Sequence, residues 1–321
     1  MRPFQYVRPV DGDAAAAALT TPGAWPLGGG TELVPLWREG LMAPSAVVDL
    51  AGLDAEITSR ADGTLRLPAS ARLADLAAHP LVQSRAGALA QACASVGSPA
   101  LRAQGTLGGN LAQRPRCWYW RGGFACAKTG DGGCPAAAGE HRYHAIVEAG
   151  PCWAVHPSDP AVALMALDAV VWLRRGDVTR AVPMAEFFVL PSEDPTRETV
   201  VAAGEFISHV EIPAASQGGE QTYDKVLQRG AWDFALVSLA AVRRTDGDVR
   251  LVLGGVGPRP WRLNDSIEED VASGGLDDDS IDALAERAMY DAEPLPGTAY
   301  KVTQARTLLV RAMRRLAGAS R

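Results

Sequence analysis

No segment of the chain approaches the roughly 18 continuous apolar residues that a membrane-spanning helix requires. The opening residues, MRPFQYVRPV, also lack the apolar core of a signal peptide, so a soluble, cytosolically made product with no export signal of its own is expected. Basic charge is not in excess. Lys and Arg total 31 against 37 Asp and Glu, a net charge of −6, and the cations are dispersed, which argues against a nucleic-acid partner. There is no G-x-S-x-G elbow, Ser-His-Asp order or paired-carboxylate pattern, so hydrolysis has no candidate nucleophile and redox chemistry remains open. Internal repeats and low-complexity tracts are missing too. Cysteine is scarce, with five in 321 residues, yet four of them lie between positions 117 and 152. That clustering fits poorly with a dispersed disulfide framework and favours metal.

What is present bounds the architecture. At 321 residues and 47% apolar composition the chain can bury a sizeable core, in two or three structural units. Apolar periodicity predicts a short helix over Asp13 to Leu19, a strand over Ala24 to Leu27, a helix from Leu33 to Arg38 and a buried strand from Ala46 to Leu50, together a small βαβ unit. A second unit begins near Ala55, with strands at Leu65 to Ala69, Ala169 to Leu173, Val178 to Val182 and Glu205 to Ile212. Its helices are expected at Leu73 to Ala78, Ala86 to Val96 and Pro160 to Leu167. The small, polar run Ala214 to Gly219 reads as a linker. Beyond it, Gln221 to Leu227, Phe234 to Val242 and Val249 to Val256 predict an antiparallel meander, followed by helices over Asp279 to Tyr290 and Lys301 to Leu316.

Two glycine-rich stretches stand out. Gly28-Gly29-Gly30-Thr31 follows a strand and precedes a helix, where glycine permits positive φ and close approach of a phosphate to backbone N–H groups. It matches neither G-x-G-x-x-G nor the P-loop lysine pattern, and alone a plain turn is the simpler reading. Thr106-Leu107-Gly108-Gly109-Asn110 repeats the theme in another unit, and two such turns suit a long ligand with two phosphates, a dinucleotide. Ser158 or Asp159 caps the helix that follows Pro157. Lys225 and Arg229 lie on a strand of the third unit, where solvated charges are the default.

The clustered cysteines, Cys117, Cys126, Cys134 and Cys152, are spaced C-x8-C-x7-C-x17-C in a glycine-rich stretch expected to be a flexible loop. Structural zinc usually includes a tight cysteine pair, whereas iron–sulfur clusters also draw thiolates from irregular loops, so the spacing tilts toward a cluster while zinc and no metal stay open. Cys93, inside an apolar helix, is expected to pack as a small hydrophobe. His141, His144 and His156 are alternative ligands that four thiolates make unnecessary. Trp118, Tyr119 and Trp120 either shield a metal or form an ordinary apolar patch.

With both glycine stretches and Asp159 in hand, the sequence resembles the FAD-binding medium subunit of the molybdenum hydroxylases, the xanthine dehydrogenase and aldehyde oxidoreductase family, over nearly its whole length. The resemblance implies an α+β chain: a two-subdomain FAD-binding fold of the vanillyl-alcohol-oxidase (PCMH) type at 1–55 and 56–215, then a C-terminal antiparallel sheet plus helices at 220–321, like the CO dehydrogenase flavoprotein C-terminal domain. It implies that Leu27, Gly28, Gly29, Gly30, Thr31, Glu32 and Leu33, with Thr106, Gly108, Gly109 and Asn110, hold the FAD pyrophosphate, and that Asp159 and Lys225 lie by the flavin nucleotide. Most of the family has no long insertion between the T-L-G-G-N stretch and the S-D pair. This chain carries one at about 114–153, and its Arg114-Pro115-Arg116-Cys117 and Cys134 to His144 are similar to the subfamily that adds a [4Fe-4S] cluster, as in bacterial periplasmic aldehyde oxidoreductase; a longer insertion of this kind occurs in 4-hydroxybenzoyl-CoA reductase. The implied partners are a small [2Fe-2S] subunit, a large molybdopterin-cofactor subunit and an external electron acceptor, in the cytoplasm or in the periplasm by co-export with a partner. Two rivals stand beside this: a non-catalytic scaffold held by zinc, and a related hydroxylase or reductase acting on an N-heterocycle or a hydroxybenzoyl-CoA-like substrate. Because the cysteine loop is glycine-rich and has no regular apolar period, metal ligation is expected to supply most of its order.

Overall fold

The computed structural model describes residues 3–230 and 232–317; the outermost ends of the first and third expected units, 1–2 and 318–321, lie outside the described residues. Three sheets organise the chain. The first is parallel, in the order β1-β3-β2, from β1 (Gln5–Val7), β2 (Ala24–Leu27) and β3 (Ala46–Asp49), with α1 (Gly12–Ala18) and α2 (Leu33–Arg38) as crossovers. Asp11 caps α1 by accepting from the Ala14 N–H at 2.8 Å, and Val48 packs against Ala15, Ala16 and Leu19 in a small core of its own. Strand β1, only three residues long and half exposed, has no apolar pattern to announce it.

The second unit holds β4 (Thr58–Ser59), β5 (Leu65–Pro68), the helices α3 (Leu73–Ala78), α4 (Pro80–Arg85), α5 (Gly87–Ser95), α6 (Pro99–Gln104), α7 (Leu107–Leu111), α8 (Trp118–Arg121) and α9 (Asp159–Ala166), then β6 (Val170–Arg175), β7 (Val178–Pro183) and β8 (Phe206–Ile212). Its five strands form an antiparallel sheet in the order β4-β5-β8-β6-β7. Every residue of α9 is buried, because the helix is enclosed by α5 on one side and by the third sheet on the other. An all-round apolar helix belongs in such a place. The same core takes in Cys93, which packs among alanines and leucines as a small hydrophobe does.

The third sheet is antiparallel, β12-β11-β10-β9, from β9 (Glu220–Val226), β10 (Val237–Arg243), β11 (Val249–Gly254) and β12 (Trp261–Arg262). One face of β10, with Ala240 and Val242, joins the core around α9; the other, with Val237 and Leu239, is covered by α10 (Asp265–Ser273), α11 (Asp278–Ala288) and α12 (Tyr300–Leu316). Burial on both faces explains why β10 reads as a continuous apolar run instead of an alternating one.

The run 214–219 joins the second sheet to the third and is itself fastened: the buried Gln217 amide donates to the carbonyls of Ile212 (2.8 Å) and Gly63 (3.0 Å), and Gly218 donates to Arg85 (2.8 Å). Two expectations are corrected. The T-L-G-G-N stretch is not a turn but the one-turn helix α7, capped by the Thr106 hydroxyl and buried through Leu107 and Leu111. The cysteine segment is not a bare flexible loop either. It contains α8, buries Trp120, and feeds Ile146 and Val147 into the core of the third unit.

Candidate functional site

Strand β2 delivers Gly28 to Gly30 to the N-terminus of α2. Gly30 is left-handed (φ 73°), a conformation that costs glycine nothing. A Cβ on Gly28 would strike the Thr106 hydroxyl, and one on Gly29 the Gln104 carbonyl. The first glycine stretch is therefore seated directly on the second. Among the described residues, the N–H groups of Gly29, Gly30, Thr31 and Glu32 find no backbone acceptor. Unpaired donors at the start of a helix favour an anion.

The second stretch differs in detail. Its amides are used internally, Leu107 donating to Ala71, Gly108 to Ala69 and Gly109 to the Thr106 hydroxyl. Its contribution is space. Three cavities of about 670, 340 and 300 Å³ all have Thr106 and Gly109 in their walls, and the first two also contain Thr31 and Glu32. A Cβ on Gly109 would meet only the Thr106 hydroxyl, at 3.1 Å, so this glycine leaves open room that a ligand can fill.

Ser158 settles which residue caps α9. Its hydroxyl accepts from Ala161 N–H at 3.1 Å and donates to the Asn110 side-chain oxygen at 2.5 Å, tying the α9 cap to the end of α7. Asp159 is thereby free of capping. Its carboxylate accepts from the Lys225 ammonium at 2.7 Å and the Tyr223 hydroxyl at 2.6 Å, while its residue lines the 340 Å³ cavity with Asn110 and Arg229. Burial raises the proton affinity of Asp159, and Lys225 and Tyr223 oppose it; the Tyr223 phenol is pushed well above its ordinary value, by burial first and then by the carboxylate. A buried pair of this kind costs several kcal/mol to break from one side, about 3–5. Lys225 faces the carboxylate and not the cavity, so its part is to hold Asp159. Arg229 stays exposed and pairs with Asp233 at 3.6 Å.

The four clustered thiols are also brought near one another. Cys117 packs beside Cys126 on one side and Cys152 on the other. Burial raises the thiol of Cys117, and that of Cys152 to about 11, and in each case neighbouring cysteines, Cys134 among them, raise it further. Among the described residues, no three metal-ligating side chains close on a single ion. His144 places its Nε2 3.4 Å from the Cys117 sulfur, and burial holds the ring's pKa down at about 4, so a neutral ring shares a hydrogen bond with the thiol. His141 is committed elsewhere, to the Ala136 carbonyl and the Gly297 N–H, both at 2.9 Å, and His156 meets Phe188 edge to face. Trp120 is the buried member of the aromatic trio and carries the guanidinium groups of Arg114 and Arg121 on its face.

The segment is also tied to the rest of the chain by side chains other than its thiols. Glu198 pairs with Arg114 and with the buried Lys128, both at 2.6 Å, and Lys301, buried on α12, donates to the carbonyls of Gly255 (2.7 Å) and Tyr143 (3.1 Å). These contacts add fastening to whatever ligation by the thiols would supply. Tyr223 and these latches escaped sequence reasoning. For Tyr223 a signal existed, since residues two apart on a strand share a face and Lys225 was already a candidate.

Comparison with known proteins gives the wider setting. The family described as the FAD binding domain in molybdopterin dehydrogenase matches residues 2–215, and the CO dehydrogenase flavoprotein C-terminal domain matches 221–316. The chain is 39% identical to the aldehyde oxidoreductase FAD-binding subunit PaoB of Escherichia coli K12 over 269 residues, 82% of this chain and 84% of that one. It is 26% identical to the carbon monoxide dehydrogenase medium chain of Hydrogenophaga pseudoflava over 97% of this chain and 96% of that one. In fold it is similar to quinoline 2-oxidoreductase from Pseudomonas putida 86, with a TM-score of 0.75 at 23% identity, covering 99% of this chain and 98% of that one.

Proposed function

The chain belongs to the FAD-binding subunits of the molybdopterin dehydrogenase family, and from that premise we propose that it is the flavin and iron–sulfur electron-transfer subunit of an aldehyde-oxidising molybdenum hydroxylase. FAD binding and membership of an oxidoreductase follow from the family itself. The finer reading rests on one observation above others: the first glycine stretch with its unpaired amides lines one cavity, the held carboxylate of Asp159 lines another, and the two cavities share Thr31, Glu32, Thr106 and Gly109 in their walls.

In that crevice Gly29 to Glu32 present N–H groups to the pyrophosphate, Gly109 lets it approach the backbone, and Asp159, kept in place by Lys225 and Tyr223, offers an acceptor to the nucleotide. FAD supplies the interconversion of one- and two-electron steps; the protein positions it and tunes its surroundings. For Cys117, Cys126, Cys134 and Cys152 we propose a [4Fe-4S] cluster. The reading rests on the residue type and spacing: four cysteines within 36 residues and no tight cysteine pair suit an iron–sulfur centre better than structural zinc, and sulfur is the donor such clusters take.

We further propose the division of labour that the family resemblance implies: a small [2Fe-2S] subunit delivers electrons, a large molybdopterin subunit oxidises the aldehyde, and this chain passes electrons to an external acceptor. The test is expression of the chain alone and with its partners. Alone it should retain flavin yet leave aldehydes untouched, and turnover should appear only in the assembled complex. Aldehyde oxidation by the purified single chain would refute that division.

A further inference from the structure

The first glycine stretch ends on Glu32, and its carboxylate does not face the ligand crevice alone. It is the point at which the cysteine loop is fastened. Oε1 accepts from the Arg121 guanidinium at 2.7 Å and from the Arg114 backbone N–H at 3.2 Å, and Oε2 pairs with the Arg116 guanidinium. These donors come from 82 to 89 positions away in the sequence. Arg116 immediately precedes Cys117, and Arg121 ends α8, the helix that Cys117 caps.

The fastening is over-determined on the loop side. Arg116 also donates to Gln113 at 3.1 Å and stacks on Phe234 at 4.8 Å; Arg121 also donates to the Pro115 carbonyl at 2.9 Å. On the other side the backbone of Glu32 belongs to the unpaired amides of the turn, one residue before α2. A carboxylate held by three donors cannot shift without moving either the turn or the arginines. Neither partner in the pairs is fully exposed, so the contact is not a loose surface pair: the side chains of Glu32, Arg121 and Arg116 are 14%, 17% and 29% accessible.

We propose that Glu32 is a positioning residue that couples the two redox-centre sites, so that the state of the cysteine loop sets the affinity of the glycine turn for FAD, and bound FAD in turn holds the loop. The inference rests on the proposed function, which places FAD at the turn and the metal at the thiols. Coupling of this kind is reciprocal by thermodynamic necessity.

The experiment is a cycle on the purified full chain. FAD affinity is measured for the iron-loaded and the iron-stripped protein, in wild type and in Glu32→Gln, which keeps the shape and removes the charge. In wild type, stripping iron should weaken FAD binding about tenfold, within the usual range of coupling. In Glu32→Gln the iron-loaded form should already bind weakly, and stripping should change its affinity by less than about twofold. The reverse leg should agree, with FAD slowing iron loss to a chelator in wild type and not in the variant. Equal coupling in both proteins would overturn the proposal. Should Glu32→Gln fail to fold, Arg121→Gln takes its place, cutting one strand of the fastening while leaving Glu32 and its turn intact, and should show a reduced coupling; unchanged coupling there also overturns it. A wild-type chain that binds FAD and carries no iron would refute the metal reading separately, and the same cycle with loop thiols alkylated by iodoacetamide then decides the coupling.

Discussion

Gly109→Val should fold normally and lose FAD. The glycine sits in α7 with no positive φ, and the only atom that a new Cβ meets is the Thr106 hydroxyl at 3.1 Å. No backbone blocks the new Cβ, and the Thr106 hydroxyl need give only by a few tenths of an ångström to admit it. A ligand in the crevice leaves no such room, since Gly109 borders all three of its cavities. Overpacking costs about 1–3 kcal/mol, or about 5–140-fold in affinity at 1.4 kcal/mol per decade. Flavin content after gel filtration and the melting temperature, measured together, check this: flavin should fall sharply while the melting temperature holds. Full FAD occupancy in the variant would place the cofactor elsewhere. Gly28 and Gly29 are poorer probes, because their substitution drives the two glycine stretches apart.

The second large effect is expected from Cys126→Ser. If the four thiols hold a cluster, iron should drop from about four per chain to well under one. From the sequence, losing the cluster is expected to loosen the loop and to weaken flavin retention in part. The structure narrows that expectation. Glu32, Glu198 and Lys301 fasten the segment at three places, and Trp120 and Ile146 anchor it in apolar surroundings. New protease cleavage should be confined to the exposed stretch around Asp131 to Gly133, and the FAD loss should be partial, no more than the coupling through Glu32 transmits. Iron at the wild-type level in Cys126→Ser would remove Cys126 from the ligand set.

Much of the fold was legible because its signals are local. The parallel unit shows in the β-branched run of β3 and the glycines after β2, and the third sheet in the turn at Asp246 to Asp248. The crevice was legible only as two separate motifs. What joins them is not periodic: Gly28 against Thr106, Ser158 against Asn110, and Tyr223 with Lys225 against Asp159 are contacts across 48 to 78 positions, and no local pattern encodes a partner. The misreadings share a cause as well. T-L-G-G-N has the composition of a turn, but a capping threonine and leucines four apart make it a helix once a core is there to receive them. Glu32 was recognised as part of the flavin motif and not as an anchor, because its arginines lie on an insertion that the motif does not include.

The central claim is that this chain holds both FAD and a second redox centre formed by its own cysteines. Anaerobic titration of the purified full chain with dithionite, followed by absorption, tests it most directly. The account predicts uptake of about three electron equivalents per chain, roughly two bleaching the flavin bands and one the broad absorption near 400 nm. Uptake that stops at roughly two equivalents, with no absorption beyond the flavin's, would contradict it.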